Sequence, residues 1–173
     1  MQALSSDYMK AKKWLSDLLS KLKLNSDSLV ICPGNHDVIR NIASAHALPT
    51  NSEKADHMLC YDNFQRHISP FGKYRKFCSS LNIAKYSIGR KKSYLTGIRY
   101  IHNIKFVCLN SAWFSQRNKV DDKYIDDGKL WLGLPLLKYL ESSYIVSETF
   151  QTSAGMVSLS FLPTPGCAGL LTK

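Results

Sequence analysis

The sequence has no apolar leader, no closely spaced cysteine pair and few acidic residues. Its N-terminal segment carries lysines where a signal peptide would have a hydrophobic core. Its 5 cysteines are odd in number and share no Cys-x-x-Cys spacing, which favours a reduced compartment, with the cytoplasm as the default. The uncharged stretch 149–172 is long enough to span a bilayer, but Pro163, Pro165 and many small polar residues lie within it. We therefore expect no membrane partner.

The shortage of acidic residues leaves a strong positive charge. There are 23 Lys and Arg against 13 Asp and Glu, which gives a formal net charge of +10. Such a charge suits anionic partners, which include phosphoester substrates and nucleic acid. The basic residues are scattered, however, with short clusters only at 73–76 and 90–92, so a solvated basic surface is favoured over a nucleic-acid groove. A length of 173 residues with 45% hydrophobic content is typical of one folded domain.

The first part of the chain predicts a helix, a turn, a buried strand and a polar loop. Apolar side chains recur at helical spacing over 8–24, with Ser5 or Ser6 as the expected cap. The short apolar run 28–32 is what we expect of a strand buried on both faces of a largely parallel sheet. Cys32 and Cys108 lie in such runs and are expected to be small buried residues. The pattern predicts an α/β fold whose strand ends carry the chemistry.

The middle of the chain predicts a helical insertion followed by a hairpin. The string 50–53 matches a capping box, and apolar side chains continue at helical spacing to Ile68 before Pro70 starts a further helix. We expect the aromatic side chains of this region to pack in the core rather than to stack on bases. The runs 94–101 and 104–109 predict two strands joined by a turn at His102 and Asn103.

Two later segments show little of the periodicity that predicts helices or strands. Asp121, Asp122, Asp126 and Asp127 lack the glycine and the closing glutamate of a calcium-binding loop, so we expect a solvated turn there. Beyond residue 140 both charge and periodicity fade. We therefore divide the chain into a folded part at 1–140 and an atypical tail at 141–173, for which a disordered end and a frame-shifted end are the alternatives.

Asn35, His36 and Asp37 directly follow the predicted strand and the dipeptide Pro33-Gly34. The amide oxygen of Asn35 is a hard ligand suited to a divalent ion, and the imidazole of His36 could deliver a proton to a leaving alkoxide. Asp37 could accept a hydrogen bond from the backbone or from an imidazole. The alternative is plain turn chemistry, because Asn and Asp both favour turns.

The fuller string from Val30 to Val38, Val-Ile-Cys-Pro-Gly-Asn-His-Asp-Val, resembles the calcineurin-like metallophosphoesterases, in which a hydrophobic strand precedes Gly-Asn-His-Asp or Gly-Asn-His-Glu. The resemblance is firm over 29–40 and weaker over 105–113. It implies a partial metallophosphoesterase-type layered sheet with flanking helices. It also implies that Asn35 binds one of two bridged divalent ions (Mn, Fe or Zn), that His36 contacts the substrate phosphate and that Asp37 supports this histidine.

Other motifs of that family are missing from the sequence. It has no opening Asp-x-His, no Gly-Asp ahead of the first helix and no later Gly-His-x-His. The remaining histidines, His46, His57, His67 and His102, are expected on helix faces, in loops or in the hairpin turn rather than as ligands. We therefore expect too few ligands to bind both ions fully, and an internal fragment of the enzyme with a truncated or frame-shifted end.

The resemblance implies a metal-dependent phosphoester hydrolase, a phosphatase or a phosphodiesterase, that is incomplete and weakly active or inactive as this chain. Whether the chain acts as an enzyme stays open at this point. The alternative is a non-catalytic basic module that binds nucleic acid or protein on the same scaffold. The sequence does not identify the substrate, the metals or the oligomeric state.

Overall fold

The computed structural model of the chain describes residues 4–116, 119–120, 122–128, 131–138, 149–152 and 155–158. Its helices are α1 (Ser5–Leu22), α2 (Arg40–Ala43), α3 (Ser52–Met58), α4 (Gly72–Ser80) and α5 (Leu134–Lys138). Its 3-10 turns lie at Ser26–Ser28, Asn35–Asp37, Phe64–His67 and Ser69–Phe71. Its strands are β1 (Tyr86–Ile88), β2 (Lys91–Ser93), β3 (Gly97–Ile101), β4 (Ile104–Cys108), β5 (Lys119–Val120), β6 (Lys123–Tyr124), β7 (Thr149–Thr152) and β8 (Gly155–Ser158).

The largest sheet contains β1 to β4 in the order β2-β1-β3-β4, and its pairings are antiparallel. β3 and β4 are joined by His102 and Asn103, whose φ angles of 48° and 66° suit a tight two-residue hairpin turn. The predicted hairpin is therefore confirmed. Gly97 is needed at the start of β3, because its φ is 132° and a Cβ there would lie 2.7 Å from the carbonyl oxygen of Ser87.

The combination of helices and sheet predicted from the sequence is confirmed, but the largely parallel sheet is wrong. The run 28–32 is not a strand, because a 3-10 turn ends at Ser28 and residues 29–34, whose backbone is extended at Leu29 and at Gly34, continue outside the sheets of the described chain. Residues 29–32 are half-buried rather than buried on both faces. The metallophosphoesterase-type layering stays a prediction.

α1 forms where it was predicted, but its cap and its burial differ from expectation. Leu4, rather than Ser5 or Ser6, is the N-cap, and its N–H donates to Asp7 Oδ2 at 2.8 Å. Trp14, one of the apolar side chains that recur at helical spacing, is 64% exposed. The helical periodicity therefore located the helix correctly without identifying which apolar side chains are covered.

The predicted helix over 50–68 is shorter than expected. Asn51 caps it, with its side-chain oxygen accepting from the N–H of Lys54 at 2.9 Å. The helix ends at Met58, and a 3-10 turn replaces its expected continuation. The break at Pro70 is confirmed, since a new helix follows that residue.

The core collects aromatic side chains from the 3-10 turns before α4 and from the segment after β4. Phe64 and Phe71 pack edge-on against Trp113, with ring centroids 6.3 and 5.9 Å apart. Both phenylalanines are fully covered. The predicted packing role of these aromatic residues is confirmed.

The acidic segment differs from the solvated turn that was expected. Asp126 is only 7% exposed, and its Oδ2 accepts a hydrogen bond from the N–H of Gln116 at 2.7 Å. Asp122 and Asp127 are exposed, whereas Asp121 lies outside the described residues. The prediction was wrong for Asp126 because its partner lies on a different loop, ten residues earlier in the chain.

The tail predicted at 141–173 lies mostly outside the described residues. Within it, β7 and β8 pair in an antiparallel hairpin. Among the helices that the structure describes, none is both long and apolar enough to cross a bilayer.

Candidate functional site

The extended segment that leads into the candidate site is bound by a buried arginine. Arg99 on β3 is 7% exposed, and its guanidinium donates to the carbonyl oxygens of Leu29 and Asp27 at 2.7 and 2.6 Å. Its guanidinium carbon lies 5.7 Å from the centre of the Tyr86 ring, which adds a cation–π contact. One side chain of the sheet thus bonds two backbone carbonyls, one in the 3-10 turn Ser26–Ser28 and one at the start of the segment that follows it.

Two buried tyrosines hold the backbone of the same segment at Ile31. The hydroxyls of Tyr74 and Tyr86 donate to the carbonyl oxygen of Ile31 at 3.0 and 2.7 Å. The N–H of Ile31 in turn donates to the Tyr86 hydroxyl at 3.1 Å. Burial raises the pKa of both phenols above the usual range, because the phenolate would lose its hydration. Both therefore remain neutral donors up to alkaline pH.

The loop that carries the predicted site residues is a single 3-10 turn at Asn35–Asp37. Pro33 is buried, and the Asp37 N–H donates to the Gly34 carbonyl oxygen at 3.1 Å. The Asp37 carboxylate closes the turn from the other side, since its Oδ2 accepts from the Gly34 N–H at 2.8 Å. The carboxylate therefore acts as a capping group for this turn.

A second bond to Asp37 ties the turn to α1. The Tyr8 hydroxyl donates to Asp37 Oδ1 at 2.5 Å, in a partly buried environment. Burial and this hydrogen bond raise the pKa of the Tyr8 phenol above its usual range. Charge-assisted bonds of this kind are stronger than neutral ones. Both oxygens of the Asp37 carboxylate are thus engaged in holding the loop, while its predicted support of His36 stays a prediction.

Asn35 and His36 are adjacent on this turn and both are exposed, whereas Asp37 is half-buried beneath them. The structure thus presents an amide and an imidazole to solvent on a loop that the bonds of Asp37 to Tyr8 and Gly34 hold in place. This loop follows the extended segment at 29–34, whereas the sequence predicted that it would follow the carboxyl end of a parallel strand.

The other histidines lie apart from this loop in sequence, and one of them is buried. His67 is buried at 8% exposure and packs edge-on against Phe114, with ring centroids 5.7 Å apart. Burial lowers its pKa, and electrostatic repulsion from His46 and Arg66 lowers it further. His67 lies in the 3-10 turn Phe64–His67, as a position on a helical segment predicts, but the face of that turn that carries it is buried. His57 and His102 are exposed as expected.

The donor set of the described residues does not fit the two metal ions that the family resemblance implies. In the part of the chain that the structure describes, no group of three or more His, Cys, Asp and Glu side chains is placed to bind a metal. Asn35 offers one amide oxygen, and the carboxylate beside it already accepts bonds from Tyr8 and Gly34. Two ions require more oxygen and nitrogen ligands than this.

Sequence reasoning found Asn35, His36 and Asp37 but missed the residues that hold them. Tyr8 lies 29 residues before its partner, and Arg99 lies 70 and 72 residues after its two. Nothing in the local pattern marks either side chain, because both contacts depend on tertiary packing.

Comparisons with known proteins give no independent support for a family. No protein-family model, curated protein or solved structure matches the chain. The metallophosphoesterase resemblance therefore rests on the residues around the Gly-Asn-His-Asp string.

Proposed function

We propose that the chain supplies part of the active site of a phosphoester hydrolase, in which Asn35 and His36 face the substrate. The observation that supports this proposal is the construction of the loop. Both oxygens of Asp37 are bonded within the protein, while the two preceding side chains are exposed side by side. Residues that act on a bound substrate must be held in position, and the two bonds to Asp37 hold this turn.

His36 is the residue that we assign to the chemical step. An imidazole can donate a proton near neutral pH, and a leaving alkoxide needs one. Asn35, one residue earlier, would contribute its amide oxygen to a divalent ion, as the family resemblance implies. A complete metal site needs ligands beyond the described residues, so we expect slow hydrolysis and substoichiometric metal binding from this chain.

The proposal is tested by hydrolysis of an aryl phosphate monoester and a bis-aryl phosphodiester with added Mn²⁺. His36→Ala should lower the rate by about 10²–10⁴-fold, which is the usual contribution of a general acid. His57→Ala is the matched control, because His57 is also an exposed histidine but lies on α3. Equal rates for the wild-type protein and His36→Ala would contradict the assignment.

A second candidate is a non-catalytic basic module that binds nucleic acid or protein. The observation that favours it is α4, which carries Lys73, Arg75 and Lys76 and no acidic residue, in a chain of net charge +10. Such a module would bind nucleic acid with an affinity that falls steeply with salt. Binding that needs no metal, survives His36→Ala and weakens in Arg75→Ala with Lys76→Ala would favour this candidate over the hydrolase.

A further inference from the structure

Two cysteines from distant parts of the chain meet beside the candidate loop. The Cys108 thiol donates to the Cys32 sulfur, with the two Sγ atoms 3.3 Å apart across 76 residues of sequence. Cys108 is the last residue of β4 and is fully buried. Cys32 is half-buried and directly precedes Pro33. The expectation that both would be buried is therefore confirmed for Cys108 and wrong for Cys32.

We propose that Cys32 and Cys108 form an oxidation-sensitive pair that a hydroperoxide converts into an intramolecular disulfide. This modification site is independent of the proposed hydrolase activity. The geometry supports the proposal, because the two sulfurs are already in contact and Cys32 is only half-buried.

The two sulfurs differ in reactivity, and the difference sets the order of events. The hydrogen bond from Cys108 lowers the pKa of the Cys32 thiol, because the donated proton stabilises the thiolate. Donating that bond, together with burial, raises the pKa of Cys108. Cys32 is therefore the more readily ionised thiol of the pair, and we assign it the first attack. Cys78 is an internal comparison, since burial raises its pKa to about 12 and leaves it a thiol at neutral pH.

The proposed reaction has two steps. The Cys32 thiolate attacks the terminal oxygen of the hydroperoxide, the O–O bond breaks, and after protonation an alcohol or water leaves and Cys32 becomes a sulfenic acid. The Cys108 sulfur then attacks the Cys32 sulfur, the S–O bond breaks, and water leaves with the thiol proton. Each sulfur gives up one electron overall, and the hydroperoxide accepts both.

Formation of the disulfide requires the Sγ atoms of Cys32 and Cys108 to move closer together. A disulfide bond is about 2.05 Å long, so the two atoms must approach by somewhat more than 1 Å from their present contact. Cys108 is fixed in the sheet, but Cys32 lies in the extended segment at 29–34, which is not part of a strand. Because Tyr74 and Tyr86 hold the backbone of Ile31, the movement falls on Cys32 and Pro33, and the bond would fasten the base of the candidate loop to β4.

The test is to treat the purified, reduced protein with hydrogen peroxide and to count and map its thiols. Thiols are counted under denaturing conditions, and alkylated peptides are mapped by mass spectrometry before and after dithiothreitol. We expect the count to fall from 5 to 3, with a single peptide cross-link between Cys32 and Cys108 that dithiothreitol reverses. Cross-links to Cys60, cross-links between chains, or an unmodified Cys108 after Cys32 has reacted would overturn the proposal.

Variants separate the two steps. In Cys108→Ser, Cys32 should stop at the sulfenic acid and be labelled by dimedone, whereas Cys32→Ser should lose thiols at least about tenfold more slowly than the wild type. Cys60→Ser is the matched control and should form the cross-link at the wild-type rate, because Cys60 is also half-buried. Dimedone labelling that is absent from Cys108→Ser would contradict the assigned order. The mapping of the wild-type protein decides the proposal without relying on any variant's folding.

Discussion

Tyr86→Phe tests whether side chains, rather than strand pairing, hold the segment that leads to the candidate loop. The substitution keeps the ring, which is 1% exposed, and removes only the hydroxyl. The carbonyl oxygen of Ile31 keeps the Tyr74 hydroxyl as a partner, whereas the N–H of Ile31 loses the bond that it makes to Tyr86. A partly buried N–H left without its partner costs about 1–3 kcal/mol.

The assay is equilibrium unfolding in urea with linear extrapolation to water. We expect Tyr86→Phe to lower the free energy of unfolding by about 1–3 kcal/mol, and Tyr74→Phe by only about 0.5–1.5 kcal/mol, because no backbone N–H loses a bond there. Tyr100→Phe is the matched control on β3, since Tyr100 is 66% exposed, and it should change stability by less than about 0.5 kcal/mol. A Tyr86→Phe value within the control range, or below that of Tyr74→Phe, would refute the reasoning.

Two further predictions concern Tyr8 and alkaline pH. Tyr8→Phe removes the hydrogen bond to Asp37 and should lower the free energy of unfolding by about 1–2 kcal/mol and speed amide exchange at Asp37, as measured by urea unfolding and hydrogen exchange. The contribution of the three tyrosines to stability should be constant below about pH 10 and fall above it, because the pKa values of Tyr8, Tyr74 and Tyr86 are raised in the folded state and unfolding then releases protons. Each tyrosine adds a slope of up to about 1.4 kcal/mol per pH unit, and Tyr86→Phe should remove one such contribution; an unchanged slope would contradict the assignment.

The sequence predicted the elements whose signals are local. The β3–β4 hairpin follows from alternation and from a turn pair, His102 and Asn103, that tolerates positive φ. The helix break at Pro70 follows from the ring that removes a backbone donor. In each case the determining residues are neighbours in the chain.

The sequence misled where distant side chains decide the outcome. The apolar run 28–32 has the composition of a buried strand, but Tyr86 and Arg99 satisfy backbone groups of Ile31 and Leu29 from 55 and 70 residues away. The acidic segment around Asp126 has the composition of a solvated turn, but the Asp126 carboxylate accepts a hydrogen bond from the backbone N–H of Gln116. Residue pattern alone carries no information on such partners.

In the candidate site, too, the sequence predicted what depends on neighbouring residues and missed what depends on distant ones. Gly-Asn-His-Asp was recognisable as a string, and the structure shows Asn35 and His36 exposed together. The anchor at Tyr8 and the thiol contact at Cys32 depend on how α1 and β4 pack around the loop. No spacing rule in the sequence connects these elements.

The most direct test of the proposed site is a Mn²⁺ titration followed by ¹H–¹⁵N spectra, because the paramagnetic ion broadens only nearby amide signals and the readout does not depend on turnover. We predict selective broadening at residues 34–37 that Asn35→Ala removes and that the control Asn41→Ala, an exposed residue of α2, leaves intact. Broadening centred on surface carboxylates such as Asp62, with residues 34–37 unaffected, would contradict the account.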